Sequence, residues 1–264
     1  MTAPILLIGA GRMGTALLRG WTQQGLSVVA VEPHPESNLK RLKSVSIVRS
    51  VEDARKTYRA CVIALKPQIF RVEAARLQPL ARLGTPMISI AAGITTKFMR
   101  QAWGPQARIV RAMPNTPGAI GRGISALYAA GTAQAADKAL AQSLLAALGE
   151  TIWVKRESDM DIVTALSGSG PAYVFLLVEA LAAAGKAEGL PADVAMKLAR
   201  ATVTGAGALL ASVPTDAAEL RRHVTSPHGT TEAALKVLMG KGGFAPLLAH
   251  AVAAARKRAA ELGA

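Results

Sequence analysis

Two stretches of the chain concentrate residues able to hold a ligand. In TSPHGTT (225–231), four hydroxyl side chains, a proline, a histidine and a glycine directly precede the apolar helical pattern of 232–238. Read alone, the segment is a helix start, and capping by Ser226 or Thr230 accounts for it. In GAGRMG (9–14), glycines occupy the three positions of a G-x-G-x-x-G turn that follows the apolar run ILLI. Gly9 permits the tight turn, Gly11 lets backbone N–H groups approach a pyrophosphate, and Gly14 lets helix pack on strand. Arg12 and Met13 fill the same turn and complete the candidate cofactor contact. Glu32 ends the next apolar run, about 20 residues on, where a carboxylate accepts from adenosine ribose hydroxyls. A carboxylate there repels a 2′-phosphate, which leans toward NADH over NADPH, although flanking Arg and Lys residues offer a phosphate an alternative.

Three further strand ends carry turn residues. Lys66 and Pro67 close CVIALK, Ala91 and Gly93 close ISIAAG, and Asn115 follows RIVRAM within MPNTP. In a parallel sheet all three fall on the carboxyl edge beside the glycine turn, where the nicotinamide half of a dinucleotide lies. Asn115 is placed to hydrogen-bond its carboxamide or ribose. The four histidines form no HxxxH pair and have no acidic cluster beside them, so no metal is expected. No Ser-His-Asp set is evident either. Cys61, the single cysteine, lies in the apolar run ACVIAL and reads as a core residue.

These residues need a frame. From residue 4 to about 112, short Ile- and Val-rich runs alternate with helical patterns, including ESNLKRL and EDARK, which predicts a parallel sheet with helices on both faces. ISALYAA and ETIWVK extend that sheet. Beyond about residue 160 the strand signals stop and Ala-rich helical patterns run to the end. The expected fold class is therefore α/β, with a Rossmann-type dinucleotide-binding domain over 1–158 followed by an all-α domain over 159–264. Ser169 before Pro171, and Asp216 with Glu219, read as helix caps. Stretches such as VFLLVEALAAAG are apolar on several faces, more than a small domain buries alone, which predicts an obligate homodimer.

Composition narrows the partners. The net charge is +14, but residues 1–112 hold 17 Lys/Arg against 5 Asp/Glu while 113–264 hold 14 against 12. The basic residues are scattered without aromatic interleaving, so a phosphate-bearing cofactor, or simple solubility, explains them better than nucleic acid. No secretory core is evident near Met1, and no uncharged apolar run reaches the ~18 residues of a membrane span. A cytoplasmic protein without a membrane partner is expected.

The motifs GAGRMG, ALKPQ, SIAAG, MPNTP, LSGSGPAYVF and VTSPHGTT, in this order, resemble the pyrroline-5-carboxylate reductases. The resemblance runs from about Ile5 to Glu261, and LSGSGPAY and the SPxGTT segment are its most specific parts. It implies a Rossmann domain with a helical dimerisation domain, NADPH or NADH as cofactor, and hydride transfer to the carbon of a cyclic imine, giving L-proline. It also implies that Thr231 contacts the imine nitrogen and that N–H groups around Gly229, Thr230 and Thr231 hold the substrate carboxylate. Ser226 then steadies the loop or the carboxylate. It further implies a pocket shared between one chain's nucleotide domain and its partner's helical domain, and rings of dimers. His228 departs from the pattern, since the family usually has glycine or another small residue there. A reductase of another cyclic imine, such as piperideine carboxylate, stays open. A β-hydroxyacid-dehydrogenase-like enzyme is a further alternative, but SGSGPAYVFLLVEAL lacks the lysine that class uses. A nucleotide-sensing or scaffold protein on the same fold is the non-enzymatic reading.

Overall fold

The computed structural model describes residues 3–37, 39–42, 44–54 and 57–263. The first part runs β1 (Ile5–Ile8), α1 (Arg12–Gln23), β2 (Val28–Val31), β3 (Val45–Val48), β4 (Ala60–Ile63), α2 (Pro67–Glu73), α3 (Gln78–Arg82), β5 (Met87–Ser89), α4 (Thr96–Trp103), β6 (Ile109–Met113), β7 (Gly123–Ala129), α5 (Ala135–Leu145) and β8 (Gly149–Trp153). All eight strands join one sheet in the order β3-β2-β1-β4-β5-β6-β7-β8. The chain leaves β1 toward β2 and β3, then returns to β4 on the other side. This reversal opens a crevice at the carboxyl end of β1, where dinucleotides bind such sheets.

Strands β1, β2 and β4 are continuous apolar runs because both sheet faces are covered there. Ile5, Leu7, Val28 and Ala30 pack with Leu17, Leu18 and Trp21 of α1 and Leu144 of α5. On the other face, Leu6, Ile8, Cys61 and Ile63 pack with Phe70, Met99 and Trp103. Two buried indoles keep their N–H groups satisfied, Trp21 by Leu144 O at 2.9 Å and Trp103 by Ala74 O at 2.7 Å. Burial pushes the Cys61 thiol well above its usual range, so it stays a neutral core side chain.

Three local expectations need correction. β7 runs antiparallel to β6, because the short 3-10 turn Thr116–Ile120 between them is too brief for a parallel crossover. The pattern ESNLKRL gives only a 3-10 turn at Leu39–Arg41, with Asn38 outside the described residues. Strand β3 is a half-exposed edge and asks for little cover. The EDARK pattern begins as turn and bend, and its Arg55 and Lys56 lie outside the described residues.

The remainder comprises α6 (Asp159–Val163), a π-turn at Thr164–Gly168, α7 (Gly170–Ala187), α8 (Ala192–Ser212), α9 (Ala217–His223), α10 (Thr230–Leu238) and α11 (Phe244–Gly263). By packing, the chain forms two compact units, residues 1–169 with 255–264 and residues 170–254. In the first unit α6 packs on β7 and buries Met160, while the π-turn buries Ala165. Arg71 Nη2 donates to Leu262 O at 2.9 Å and holds the last turn of α11 in that unit. Ser169 starts no new helix, since its N–H continues the π-turn to Thr164 O at 2.8 Å. At α9 the expected side-chain cap does not form, and Glu219 N donates to the backbone oxygen of Asp216 instead.

In the second unit, 170–254, α7 and α8 pack on each other through small residues, with Ala182, Ala195 and Ala199 buried. Large apolar side chains stay open, Phe175 and Leu176 each at 61%. The helical segments Asp159–Ala187 and Ala192–Ser212 are long and apolar enough to cross a membrane by length and composition. Both carry charges, Asp159, Asp161, Glu179 and Lys186 in one and Asp193, Lys197 and Arg200 in the other.

Candidate functional site

The crevice beside β1 is a cleft of about 400 Å³ whose lining includes Gly9, Gly11, Glu32, Arg49, Lys66 and Arg76. Gly9 sits at φ +91°, and a Cβ there would meet Leu65 Cδ2 at 2.9 Å, so the turn admits only glycine. At Gly14 a Cβ would strike the carbonyl oxygen of Gly9. Gly11 differs: no atom lies within 4 Å of where its Cβ would be. It is the N-cap of α1, without a side-chain acceptor and with no acidic residue in the first turn. Free N–H groups, the positive end of a twelve-residue helix and open space together fit a pyrophosphate.

Glu32 stands at the cleft wall, its Oε2 accepting from Ala10 N at 2.8 Å and its Oε1 from His34 N at 3.1 Å. Both oxygens keep further lone pairs, so ribose hydroxyls fit beside the glycine turn. Arg76 is engaged by Glu73 at 2.9 Å and Glu52 at 3.3 Å. Its positive charge is thus largely matched before any phosphate arrives.

Of the other expected cofactor residues, the cleft gathers Lys66 but not Arg12, Met13, Pro67, Ala91, Gly93 or Asn115. Arg12 is exposed at the start of α1, and Pro67 is the first residue of α2, where its missing N–H costs nothing. Ala91 is buried. Gly93 has φ +69°, and a Cβ there would meet Leu262 O at 3.1 Å. Asn115 uses its Oδ1 to accept from Ile124 N at 3.0 Å, which ties the MPNTP turn to the start of β7. The motifs MPNTP and LSGSG meet directly, since a Cβ on Gly168 would lie 2.7 Å from Met113 Cε.

The sequence reading missed Arg111 and Glu157. Arg111, only 3% exposed inside β6, pairs with Glu157 Oε1 at 3.0 Å. Glu157 also accepts from Thr96 N at 2.7 Å and from the Thr96 hydroxyl. The network anchors β6 just before MPNTP. An arginine inside an otherwise apolar strand run was the available signal.

In the second unit, α10 starts on Gly229 with no side-chain cap. The first helical bond is Ala233 N to Gly229 O at 3.2 Å, and Gly229 N is already used by Ser226 O at 3.1 Å. The N–H groups of Thr230 and Thr231 and the Thr231 hydroxyl have no hydrogen-bond partner among the described residues. Ser226 does not cap the helix. Its Oγ instead occupies the space a Cβ on Gly229 would need, so the two residues fix the turn together.

Comparison with known proteins bears on both parts. Residues 157–262 match the model "Pyrroline-5-carboxylate reductase dimerisation", and residues 4–93 match "NADP oxidoreductase coenzyme F420-dependent". The chain is 39% identical to a pyrroline-5-carboxylate reductase of Pseudomonas aeruginosa, covering 99% of this chain and 97% of that protein. It is 38% identical to one from Pisum sativum, covering 97% and 94%. Its fold matches a solved pyrroline-5-carboxylate reductase from Coxiella burnetii with a TM-score of 0.93 at 34% identity, covering all of both chains. It matches a Plasmodium falciparum pyrroline carboxylate reductase with NADP bound with a TM-score of 0.84 at 27% identity, covering 99% and 98%.

Proposed function

The chain belongs to the pyrroline-5-carboxylate reductase family, and we infer that it reduces 1-pyrroline-5-carboxylate to L-proline with NAD(P)H, the last step of proline biosynthesis. The observation that carries this reading is the presence, in one chain, of an open glycine cleft for the dinucleotide and an uncapped helix start at α10. When bound, the nicotinamide supplies the hydride to the imine carbon. The chain's own work is to hold and polarise the substrate. The N–H groups of Thr230 and Thr231 donate to its carboxylate at the positive end of α10. The Thr231 hydroxyl contacts the imine nitrogen, and Ser226 keeps the loop in shape. A hydroxyl is a poor acid near neutrality but a good hydrogen-bonding partner, and an iminium arrives already protonated. This accounts for a site built without an acid.

The protein works as a homodimer, which covers the apolar faces of α7 and α8. That covering favours a second chain over lipid as their partner, and with it a cytoplasmic enzyme; assembly of dimers into rings is the family's implied next level. In the cleft, Glu32 and the matched charge of Arg76 favour NADH over NADPH. Purified enzyme should be given NADH and NADPH in parallel, each with pyrroline-5-carboxylate and with its six-membered homologue. The fastest of the four initial rates is expected for NADH with the five-membered ring. Rates indistinguishable from the no-enzyme control in all four arms would contradict the assignment.

A further inference from the structure

His228 has φ +58°, a left-handed conformation that side chains disfavour. It lies between Ser226 and Gly229, in the loop read above as the substrate clamp. Glu232, one turn along α10, holds it there: its Oε2 accepts the His228 N–H at 2.8 Å. The histidine side chain is exposed, so the constraint acts on the backbone. The turn it fixes is the one that lets Gly229 N reach Ser226 O at 3.1 Å and leads into the uncapped start of α10.

We propose that Glu232 is a positioning residue for the substrate: by holding the His228 N–H it keeps the turn left-handed and the Thr230 and Thr231 N–H groups ready for the substrate carboxylate. The proposal rests on the substrate-clamp reading of this loop. Its energetic logic is that of a population. Without the Glu232 bond the loop spends less time in the competent turn, which weakens substrate binding while leaving the bound geometry, and hence the chemical step, unaltered. Glycine at 228 adopts the same turn unaided, so it should make Glu232 dispensable.

The test is steady-state kinetics of the full-length dimer with pyrroline-5-carboxylate at saturating dinucleotide, for E232A, E232Q, H228G, the double variant H228G/E232A, and T231A. E232A is expected to raise KM roughly tenfold with kcat held within about twofold, the size of a lost hydrogen bond to a charged group. E232Q, which keeps an acceptor but not the charge, should raise KM less. H228G should bind substrate at least as well as the parent, and H228G/E232A should return close to H228G. An unchanged or lower KM in E232A overturns the proposal, as does a rise that persists in the glycine background. If E232A fails to form the dimer, the double variant decides alone: active supports the proposal, inactive overturns it. T231A separates the two readings. Full turnover in T231A sinks the placement of the imine at this helix start, on which the clamp reading rests, whereas lost turnover in T231A beside an indifferent E232A sinks only the role of Glu232.

Discussion

The helices α1 and α10 both begin on a glycine N-cap in extended conformation, Gly11 and Gly229, and neither has a side-chain cap. Each follows a left-handed residue: Gly9 at φ +91° two positions before Gly11, and His228 at φ +58° directly before Gly229. Both leave first-turn N–H groups without a side-chain cap, which in the proposed function serve a pyrophosphate at one and a carboxylate at the other. They differ in what fixes the turn. At Gly9 the constraint is steric, with Leu65 and Ala64 filling the space of a side chain. At His228 it is a single hydrogen bond from the backbone to Glu232. A turn fixed by packing is part of a folded core, whereas one fixed by a surface carboxylate can be tuned without touching the fold.

Variants at the two turns should separate these cases. Gly14→Ala forces a methyl group onto the carbonyl of Gly9 and should destabilise the protein by about 3 kcal/mol or more, read as a lowered Tm. Gly11→Ala has room for its methyl group within the protein but not beside a bound pyrophosphate. Its Tm should stay near the parent while NADH affinity, measured by titration calorimetry, falls on the order of tenfold. Equal Tm losses in both would erase the distinction between a packing glycine and a ligand glycine. Glu32→Ser removes the carboxylate and should move the ratio of NADPH to NADH affinity upward by roughly tenfold. No change in that ratio would show that Glu32 only ties Ala10 and His34 together. The smallest effect is expected from a thiol reagent: Cys61 is fully buried and neutral, so modification of the native enzyme should be slow and become complete only on unfolding.

Much of the nucleotide-binding unit was legible because its determinants are local. Ile- and Val-rich runs bounded by glycine, and a G-x-G-x-x-G turn between strand and helix, are read within a few residues. The antiparallel course of β7 was not legible, since it depends on how short the link from Met113 is, not on the pattern of the strand. The π-turn before α7 escaped for a related reason. LSGSGP looks like a break before a helix, yet Thr164 to Ser169 continue through a π-turn whose wide bond has no compositional mark. Arg111 and Glu157 were missed because their partnership spans 46 residues and appears only when β6 and the segment after β8 come together. At α10 the hydroxyls were conspicuous but their division of labour was not. Ser226 looked like a cap, and only the fold shows it packed over Gly229 while the cap position stays open.

The central claim is that the open start of α10 binds and polarises the imine, and kcat/KM for pyrroline-5-carboxylate in Thr231→Ala tests it most directly. Loss of the hydroxyl that the proposed function assigns to the imine nitrogen is expected to lower kcat/KM by about 10²-fold, with NADH affinity and Tm unchanged. A purified Thr231→Ala dimer that turns over at the parent rate would contradict the account.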